Sequence, residues 1–335
     1  MILAAGKGER MRPLTNDVPK ALVYIAGKTL LEWAIERYDQ SGINDIVIAV
    51  GWKGSMIEDF VSRSGIKASV VHVSDYETGP LQTFLTAIDS FDGDFLLSPV
   101  DAMIEPVSMV GLQTHHSETG NREHMTLAVG STIDSGTPVE YNEDGLLTRI
   151  GEIESNSNNV ARSAMLLIAN TRIRENCRTA LNEGKERVVQ LLTQLVTDGS
   201  QVRCYQVPSP WFDIDSLSDI IEANQHYLQR GGFREPNSVY VPAGDSVEIG
   251  ESLILKSKII LRKGASIQGP VLIARDCEIG ENCRLGPNVT IDSNTTLSEG
   301  CEITDAVIFG ESEIQSHNRV HRSIIYSSTR YNVEV

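Results

Sequence analysis

Two different hydrophobic periods divide the chain. From its start to about residue 230, short runs of β-branched residues alternate with longer stretches in which apolar side chains recur every three or four positions. The short runs predict strands at 46–50, 68–73, 95–97 and 125–129, and the longer stretches predict helices that include 30–38 and 56–61. This alternation predicts an α/β domain whose mainly parallel sheet is covered by helices on both faces.

A helix is expected to close this first domain. Ser216 is a suitable N-cap, Asp219 follows it by three residues as in a capping box, and glycines at 231 and 232 provide a stop. The sequence therefore predicts a first domain over 1–230 and a linker over 231–245.

After the linker the hydrophobic period becomes six. Counting in steps of six from position 249 gives ten aliphatic residues without a miss: Ile249, Leu255, Leu261, Ile267, Ile273, Ile279, Leu285, Ile291, Leu297 and Ile303. A hexapeptide repeat is typical of a parallel β-helix, in which each segment forms one side of a coil. If three segments make a coil, residues eighteen apart stack at about 4.8 Å. Ala265, Cys283 and Cys301 would then share an interior column in a second domain over 246–335.

Composition narrows the class of protein. The chain has 335 residues, of which 41% are hydrophobic and 22% charged, as in an ordinary globular protein. It has no apolar run long enough for a bilayer helix and no recognisable secretory signal, so we expect no membrane partner and a cytoplasmic location. With 45 acidic against 29 basic residues, a formal net charge of −16, binding to nucleic acid is not expected. Five cysteines without a Cys/His cluster are expected to be reduced thiols.

The positive charges of the first twenty residues stand out against that acidic background. Residues 6–20 read GKGERMRPLTNDVPK, which places Lys7, Arg10, Arg12 and Lys20 after a Gly-x-Gly turn. Glycines allow backbone N–H groups to face one concavity, and fixed cations around it suit a triphosphate. The spacing matches neither a P-loop nor the dinucleotide fingerprint, so composition alone leaves a solvated basic loop as an equal alternative.

A longer pattern points to a known family. Residues 3–33 read LAAGKGERMRPLT, then, from residue 19, PKALVYIAGKTLLEW. They closely resemble the signature of the sugar-phosphate nucleotidylyltransferases, such as glucose-1-phosphate thymidylyl- and uridylyltransferases and mannose-1-phosphate guanylyltransferases. The resemblance implies a Rossmann-like nucleotidyltransferase domain followed by a left-handed parallel β-helix. It also implies a reaction in which a sugar-1-phosphate attacks the α-phosphorus of a nucleoside triphosphate (NTP) and releases pyrophosphate.

The resemblance assigns roles residue by residue. Arg10 and Lys20 match the catalytic cations beside the reacting phosphates, and Asp101 and Asp213 match the aspartates that hold Mg²⁺. The nucleotide would be bound around Leu3, Ala5, Gly6, Gly8, Arg12, Ser74 and Gly79. Because two anions must approach each other, the expected catalysis is electrostatic, without a covalent intermediate.

Several positions depart from the family pattern, mainly where specificity is set. Ser74 stands where relatives commonly place a base-reading glutamine. Glu152 keeps the sugar-contacting acid, but Ile153 replaces the phosphate-binding lysine that usually follows it. Either Arg149 or Arg162 would have to substitute for that lysine. Ala164 and Val100 also replace the usual residues, at the sugar site and before the metal aspartate. The choice of base and of sugar therefore stays open.

Two other functions compete with this one. The departures would also fit a catalytically weak family member that binds a nucleotide sugar for regulation or assembly. Hexapeptide-repeat domains elsewhere are acyltransferases, for which His317 and His321 are the candidates, although surface positions on a final irregular segment are the simpler interpretation. In either case the flat faces and end of a β-helix favour a homo-oligomer.

Overall fold

The structure is a computed structural model that describes residues 1–118, 125–130, 136–153, 160–231, 237–255 and 257–333. The helices are α1 (Leu30–Gln40), α2 (Gly54–Ser64), α3 (Pro80–Ile88), α4 (Pro106–Glu118), α5 (Arg174–Asn182), α6 (Val188–Thr197) and α7 (Leu217–Arg230). None of these helices combines the length and the hydrophobicity that a membrane span requires in the described part of the chain.

The strands of the first two thirds of the chain are β1 (Ile2–Ala4), β2 (Tyr24–Ile25), β3 (Lys28–Thr29), β4 (Val47–Val50), β5 (Ser69–His72), β6 (Asp94–Pro99), β7 (Ala102–Met103), β8 (Met125–Val129), β9 (Thr137–Tyr141), β10 (Leu147–Ile150), β11 (Ala161–Ser163), β12 (Leu167–Asn170), β13 (Val202–Gln206) and β14 (Phe212–Asp213). Those of the last third are β15 (Val239–Val241), β16 (Ser246–Glu248), β17 (Leu253–Ile254), β18 (Ile260–Leu261), β19 (Ser266–Gln268), β20 (Val271–Ile273), β21 (Glu278–Ile279), β22 (Arg284–Leu285), β23 (Val289–Ile291), β24 (Thr296–Leu297), β25 (Glu302–Phe309), β26 (Glu313–Ile314), β27 (Arg319–Tyr326) and β28 (Thr329–Asn332).

The chain divides into two compact units. The first comprises Met1–Gly8, Val18–Leu22 and Leu30–Asp213, and the second comprises Glu9–Asp17, Val23–Thr29 and Ile214–Val335. The front of the chain therefore contributes segments to both units. The boundaries read from the sequence, at 230 and 245, stay a prediction, and part of the expected linker, residues 232–236, lies outside the described residues.

A seven-stranded mixed sheet forms the centre of the first unit, in the order β13-β8-β12-β6-β1-β4-β5. Four of its strand pairings are parallel and two, both made by β12, are antiparallel. Every residue of β4 and β8 is buried, as expected for strands covered on both faces. The predicted α/β class is thus confirmed, with a mixed sheet in place of a mainly parallel one.

The order of these strands creates a functional edge. β1 is central, with β4 on one side and β6 on the other, and both neighbours run parallel to it. In open α/β sheets, ligands bind outside the carboxyl ends of the strands at the point where the strand order reverses. In this unit, that edge carries the residues that follow Ala4 and Pro99.

The second unit contains α7, which begins and ends as predicted. The Ser216 hydroxyl accepts a hydrogen bond from the Asp219 N–H (3.2 Å), and the Asp219 carboxylate accepts one from the Ser216 N–H (2.7 Å). Gly231 follows the last turn with φ +65°. Within the unit, the Asn224 side-chain oxygen of α7 accepts hydrogen bonds from the Ala26 N–H (3.0 Å) and the Thr290 hydroxyl (2.7 Å).

The rest of the second unit is rich in short strands that pair in parallel with an eighteen-residue offset. Ile267 lies opposite Leu285, and Leu285 lies opposite Ile303; Ile279 lies opposite Leu297 in a separate sheet. The offset is seventeen in the pairs β23–β25, β24–β26 and β25–β27. Antiparallel pairs occur at β15–β20, β16–β19, β17–β18 and β27–β28.

All five cysteines are free thiols and are buried, which confirms that prediction. Cys283 and Cys301, from the expected interior column, are both fully buried in the core of the second unit. In the first unit, burial raises the pKa of Cys177 and of Cys204 to about 12. These thiols act as small apolar core groups.

Candidate active site

The predicted nucleotide loop follows the central strand directly. Leu3 lies in β1, and the carbonyl of buried Ala5 accepts a hydrogen bond from the Trp52 N–H (3.0 Å). Gly6 is exposed, and a Cβ built there would meet nothing within 4 Å. Gly8 has φ +63°, a backbone conformation that favours glycine. The loop thus leaves open space beside the carboxyl end of β1.

Each cation of the front segment has a carboxylate partner. In the first unit, Lys20 contacts Asp101, and Lys7 pairs with Glu77 (2.6 Å). In the second unit, the Arg10 guanidinium pairs with Asp215 (2.6 Å), and Arg12 lies 3.5 Å from Glu9. Lys20 and Asp101 are the most enclosed pair, with side chains 12% and 18% exposed, whereas the Arg10 side chain is 74% exposed. Lys20 is therefore held in place while Arg10 faces solvent.

Two aspartates meet at the carboxyl end of β6. Asp101 immediately precedes β7, and β7 pairs with β14 so that Asp213 lies opposite Ala102. A carboxylate oxygen of Asp101 and one of Asp213 lie within 4.8 Å of each other. The second oxygen of Asp101, Oδ1, is buried and has no hydrogen-bond partner among the described residues. Hard carboxylate oxygens with spare coordination capacity fit a cation such as Mg²⁺.

The residues expected near the base lie in one loop. Ser74 is exposed, and Gly79 stands immediately before α3 with φ +130°. A Cβ at Gly79 would come within 2.6 Å of the Glu186 carbonyl oxygen, which accepts a hydrogen bond from the Leu81 N–H (2.9 Å). Only glycine allows this close approach between the start of α3 and the start of α6.

The residues expected to bind the sugar phosphate line one cavity of the first unit. It has a volume of about 750 Å³, and its walls include Arg149, Glu152, Ile153 and Arg187. Arg149 lies in β10, with its guanidinium 3.6 Å from the Glu140 carboxylate. Arg162 is not among the lining residues, and its guanidinium donates to the Gly136 carbonyl (3.1 Å). The other departures from the family pattern, Val100 and Ala164, are both buried.

Two residues of interest were missed by sequence reasoning. Asp215 follows Asp213 by two positions and binds Arg10, a pairing that the repeated carboxylate could have suggested. Arg187 lies in no sequence motif that would mark it as a binding residue. It occupies the N-cap of α6, where an arginine gives no recognisable signal, because short polar side chains are preferred there.

The alternative acyltransferase residues lie in the second unit. The His321 imidazole shares a hydrogen bond with the Thr304 hydroxyl (2.8 Å), and its side chain is 71% exposed. Thr304 also lines a cavity of about 560 Å³. His317 precedes β27 in a backbone conformation with φ +58°. None of these contacts tests an acyltransferase activity, which stays a prediction from the sequence.

Comparison with known proteins identifies the family. The family model of the MobA-like NTP transferase domain matches residues 1–195, and that of the GMPPB C-terminal domain matches residues 267–333. The chain is 45% identical over 83 residues to an N-acetylmuramate alpha-1-phosphate uridylyltransferase from Neisseria meningitidis serogroup B, covering 25% of this chain and 36% of that protein. It is 27% identical over 234 residues to the bifunctional protein GlmU of Methanocaldococcus jannaschii, covering 69% and 54%.

A solved structure supports the same fold. The crystal structure of a UDP-glucose pyrophosphorylase complexed with UDP-glucose superposes with a TM-score of 0.59 at 18% identity, covering 69% of this chain and 98% of that chain. The chain spans about a third to a half of the length of the two curated relatives described above, 36% and 54%. Since the family model covers more than half of its residues, the chain belongs to the family of the MobA-like NTP transferase domain.

Proposed function

We propose that this chain is a nucleotidylyltransferase that joins a nucleoside triphosphate to a sugar-1-phosphate, with release of pyrophosphate. The observation that carries the proposal is the cluster at the carboxyl end of β6. There Lys20 contacts Asp101, and Asp213 approaches the same aspartate to within 4.8 Å. A lysine and two carboxylates at the edge where α/β sheets bind ligands suit phosphate chemistry supported by a divalent cation.

The proposed division of labour follows the placement of the residues. The open loop of Leu3, Ala5, Gly6 and Gly8 would receive the triphosphate, with Arg12 as a further positive charge. Ser74 and Gly79 would border the base. Arg149 and Glu152 would contact the sugar-1-phosphate, with Glu152 on the sugar side. Arg10 and Lys20 would neutralise charge on the reacting phosphates, Lys20 as a fixed ammonium and Arg10 as an exposed group able to reach solvent-borne ligand.

Asp101 and Asp213 would hold Mg²⁺. The metal would supply charge neutralisation to phosphate oxygens, a role that ammonium and guanidinium groups share. The chain's own contribution is positional. It fixes Lys20 against Asp101 before substrate arrives, so little reorganisation is needed when charge develops. No side chain is required as a nucleophile, because the sugar-1-phosphate itself provides the attacking oxygen.

The proposal leaves the base and the sugar to experiment, since relatives carry the names of uridylyl-, cytidylyl- and guanylyltransferases. The test is a panel that combines Mg²⁺, each of the common nucleoside triphosphates, and glucose-, mannose- or N-acetylmuramate-1-phosphate, with pyrophosphate as the readout. Release from at least one combination supports the proposal. Lack of release from every combination would reject it.

A second candidate is a catalytically weak member that binds a nucleotide sugar. The observation in its favour is Ile153, which presents an apolar side chain to the cavity where the family pattern has a lysine. It predicts no turnover in the panel but a rise in melting temperature when a nucleotide sugar is added.

We further propose that the second unit is a left-handed parallel β-helix and that it mediates a homo-oligomer. The hexapeptide period and the eighteen-residue strand offset support the first part. Light scattering of the full chain tests the second: a monomer mass across the micromolar range would contradict it. The domain limits at 230 and 245, the cytoplasmic location and the lack of binding to nucleic acid stay predictions from the sequence.

A further inference from the structure

The cavity of about 750 Å³ in the first unit lacks the lysine that the family pattern places there to bind a phosphate. The family pattern places a lysine after Glu152 to bind the phosphate of the sugar, and this chain has Ile153 there. Ile153 lines the cavity. The position after Glu152 therefore still faces the cavity, but its side chain carries no positive charge. A phosphate bound there would need another cation, because charge-assisted hydrogen bonds are the strong contacts that a protein makes to phosphate.

The two arginines that the sequence offers as substitutes are both engaged. Arg162 does not line the cavity, and its guanidinium donates to the Gly136 carbonyl (3.1 Å). Arg149 does line it, but the Glu140 carboxylate lies 3.6 Å from its guanidinium and offsets its charge. Neither provides an uncompensated positive charge to the cavity.

Arg187 has the required properties. It lines the same cavity, is exposed, and its guanidinium pairs with no carboxylate in the ranges that the structure describes. Its backbone N–H donates to the Gln190 side-chain oxygen (2.9 Å), which holds its main chain in place at the start of α6. Its position at the N-cap of α6 adds the positive end of a ten-residue helix.

The backbone that presents Arg187 is held firmly. The preceding residue, Glu186, accepts the Leu81 N–H through its carbonyl (2.9 Å) and packs so tightly on Gly79 that no Cβ fits there. The start of α6 is therefore fixed to the start of α3. A side chain on such a frame loses less conformational freedom when it binds a ligand than one on a free loop.

A second polar group without a partner in the described part of the chain belongs to Trp211, which packs beside Gly136 and is not itself a lining residue of the cavity. Trp211 is 6% exposed, and its indole N–H has no hydrogen-bond acceptor among the described residues. The edge of its ring, at Cζ2, lies 3.3 Å from the position that a Cβ on Gly136 would take, and Gly136 lines the cavity. Buried polar groups without partners are rare and point to a ligand or a water.

We propose that Arg187 binds the phosphate of the sugar-1-phosphate and replaces the lysine that is lost at Ile153. The inference rests on the proposed function, since it names the phosphate-binding residue of that site. It moves the cation from the segment after β10 to the N-terminus of α6. Among the described lining residues, Arg187 is then the arginine whose charge no neighbouring carboxylate offsets, because Arg149 lies 3.6 Å from Glu140.

The experiment is a binding titration that needs no turnover. Isothermal titration calorimetry with glucose-1-phosphate, mannose-1-phosphate and N-acetylmuramate-1-phosphate is performed on the wild type, Arg187→Gln and Arg187→Lys. The matched control is Arg178→Gln, an exposed arginine on α5 whose partner is Glu175. We expect Arg187→Gln to weaken the best probe about tenfold or more, the effect of losing a hydrogen bond to a charged group. Arg187→Lys should restore most of the affinity.

Several outcomes would overturn the assignment. They are equal affinity of the wild type and Arg187→Gln, an equal loss in the Arg178→Gln control, or no binding of any probe by the wild type. Unchanged melting temperatures and unchanged affinity for the nucleoside triphosphate show that a loss in Arg187→Gln is local. If that loss occurs but no pyrophosphate is released in the panel, the proposed function fails while the role of Arg187 as a phosphate ligand stands.

Discussion

Replacement of Gly79 by alanine tests how tightly the start of α3 is packed against the start of α6. Gly79 has φ +130°, which costs a residue with a Cβ about 1–3 kcal/mol. The new Cβ would also lie 2.6 Å from the Glu186 carbonyl oxygen and 3.0 Å from the Glu186 Cβ. Relief of such overpacking costs a further 1–3 kcal/mol or so. We therefore expect a total loss of about 4 kcal/mol in the free energy of unfolding.

Gly93 provides the matched control. It has φ +98°, but a Cβ there would meet nothing within 4 Å, so Gly93→Ala carries the backbone cost alone, about 2 kcal/mol. At about 2–4 °C per kcal/mol for a domain of this size, calorimetry should show melting temperatures lowered by roughly 8–16 °C for Gly79→Ala and by roughly 4–8 °C for Gly93→Ala. Equal shifts in the two variants would refute the packing argument.

Three further predictions concern charge. Asp101→Asn and Asp213→Asn should each raise the Mg²⁺ concentration for half-maximal pyrophosphate release about tenfold or more, because each removes the charge of a proposed metal ligand. If neither substitution changes this concentration, the proposed metal site is wrong. Arg10→Ala should abolish turnover yet leave the melting temperature within a few degrees, because the Arg10 side chain is 74% exposed and ion pairs with an exposed member contribute about 1 kcal/mol at most. A large drop in melting temperature would instead make Arg10 structural. Because burial raises the pKa of Cys177 from 9.0 to about 12, the stability it contributes is complete below pH 9 and is lost as pH rises towards 12, by about 1.4 kcal/mol per pH unit. The slope of unfolding free energy against pH from 9.5 to 10.5 should become less negative by that amount in Cys177→Ala.

The sequence predicted several elements correctly where a short local pattern determines the structure. The predicted strand at 125–129 coincides with β8, and the Ser216 capping box begins α7 at Leu217. The period of six reappears as parallel pairing at eighteen residues, since Leu285 packs between Ile267 and Ile303. In each case the signal lies within a few residues along the chain, which is why the sequence alone reveals it.

Long-range packing could not be predicted in this way. The residues of β2 and β3 belong to the second unit, where Tyr24 stacks on Phe309 with ring centroids 6.2 Å apart. No periodicity near Tyr24 identifies a partner so distant in sequence. Likewise β12 enters the main sheet antiparallel to β6 and β8, although its own residues do not differ in character from those of a parallel strand.

The candidate site shows the same division. The family resemblance selected Lys20, Asp101 and Asp213 as candidates, but it does not explain why the two aspartates approach each other. The reason is the pairing of β7 with β14, strands of two residues each, which are too short to carry a hydrophobic period. Arg187 reaches its cavity through the packing of α6 on α3 and on β10, where the Thr193 hydroxyl donates to the Ile150 carbonyl (3.4 Å). This packing is a tertiary feature without a local signature.

The most direct test of the central claim is to quantify both products of one reaction. The wild-type chain is incubated with Mg²⁺, a nucleoside triphosphate and a sugar-1-phosphate, and pyrophosphate and nucleotide sugar are measured together by chromatography and mass spectrometry. We predict equal molar amounts of the two for at least one pair of substrates. Pyrophosphate accompanied only by nucleoside monophosphate, or no pyrophosphate from any pair, would contradict the account.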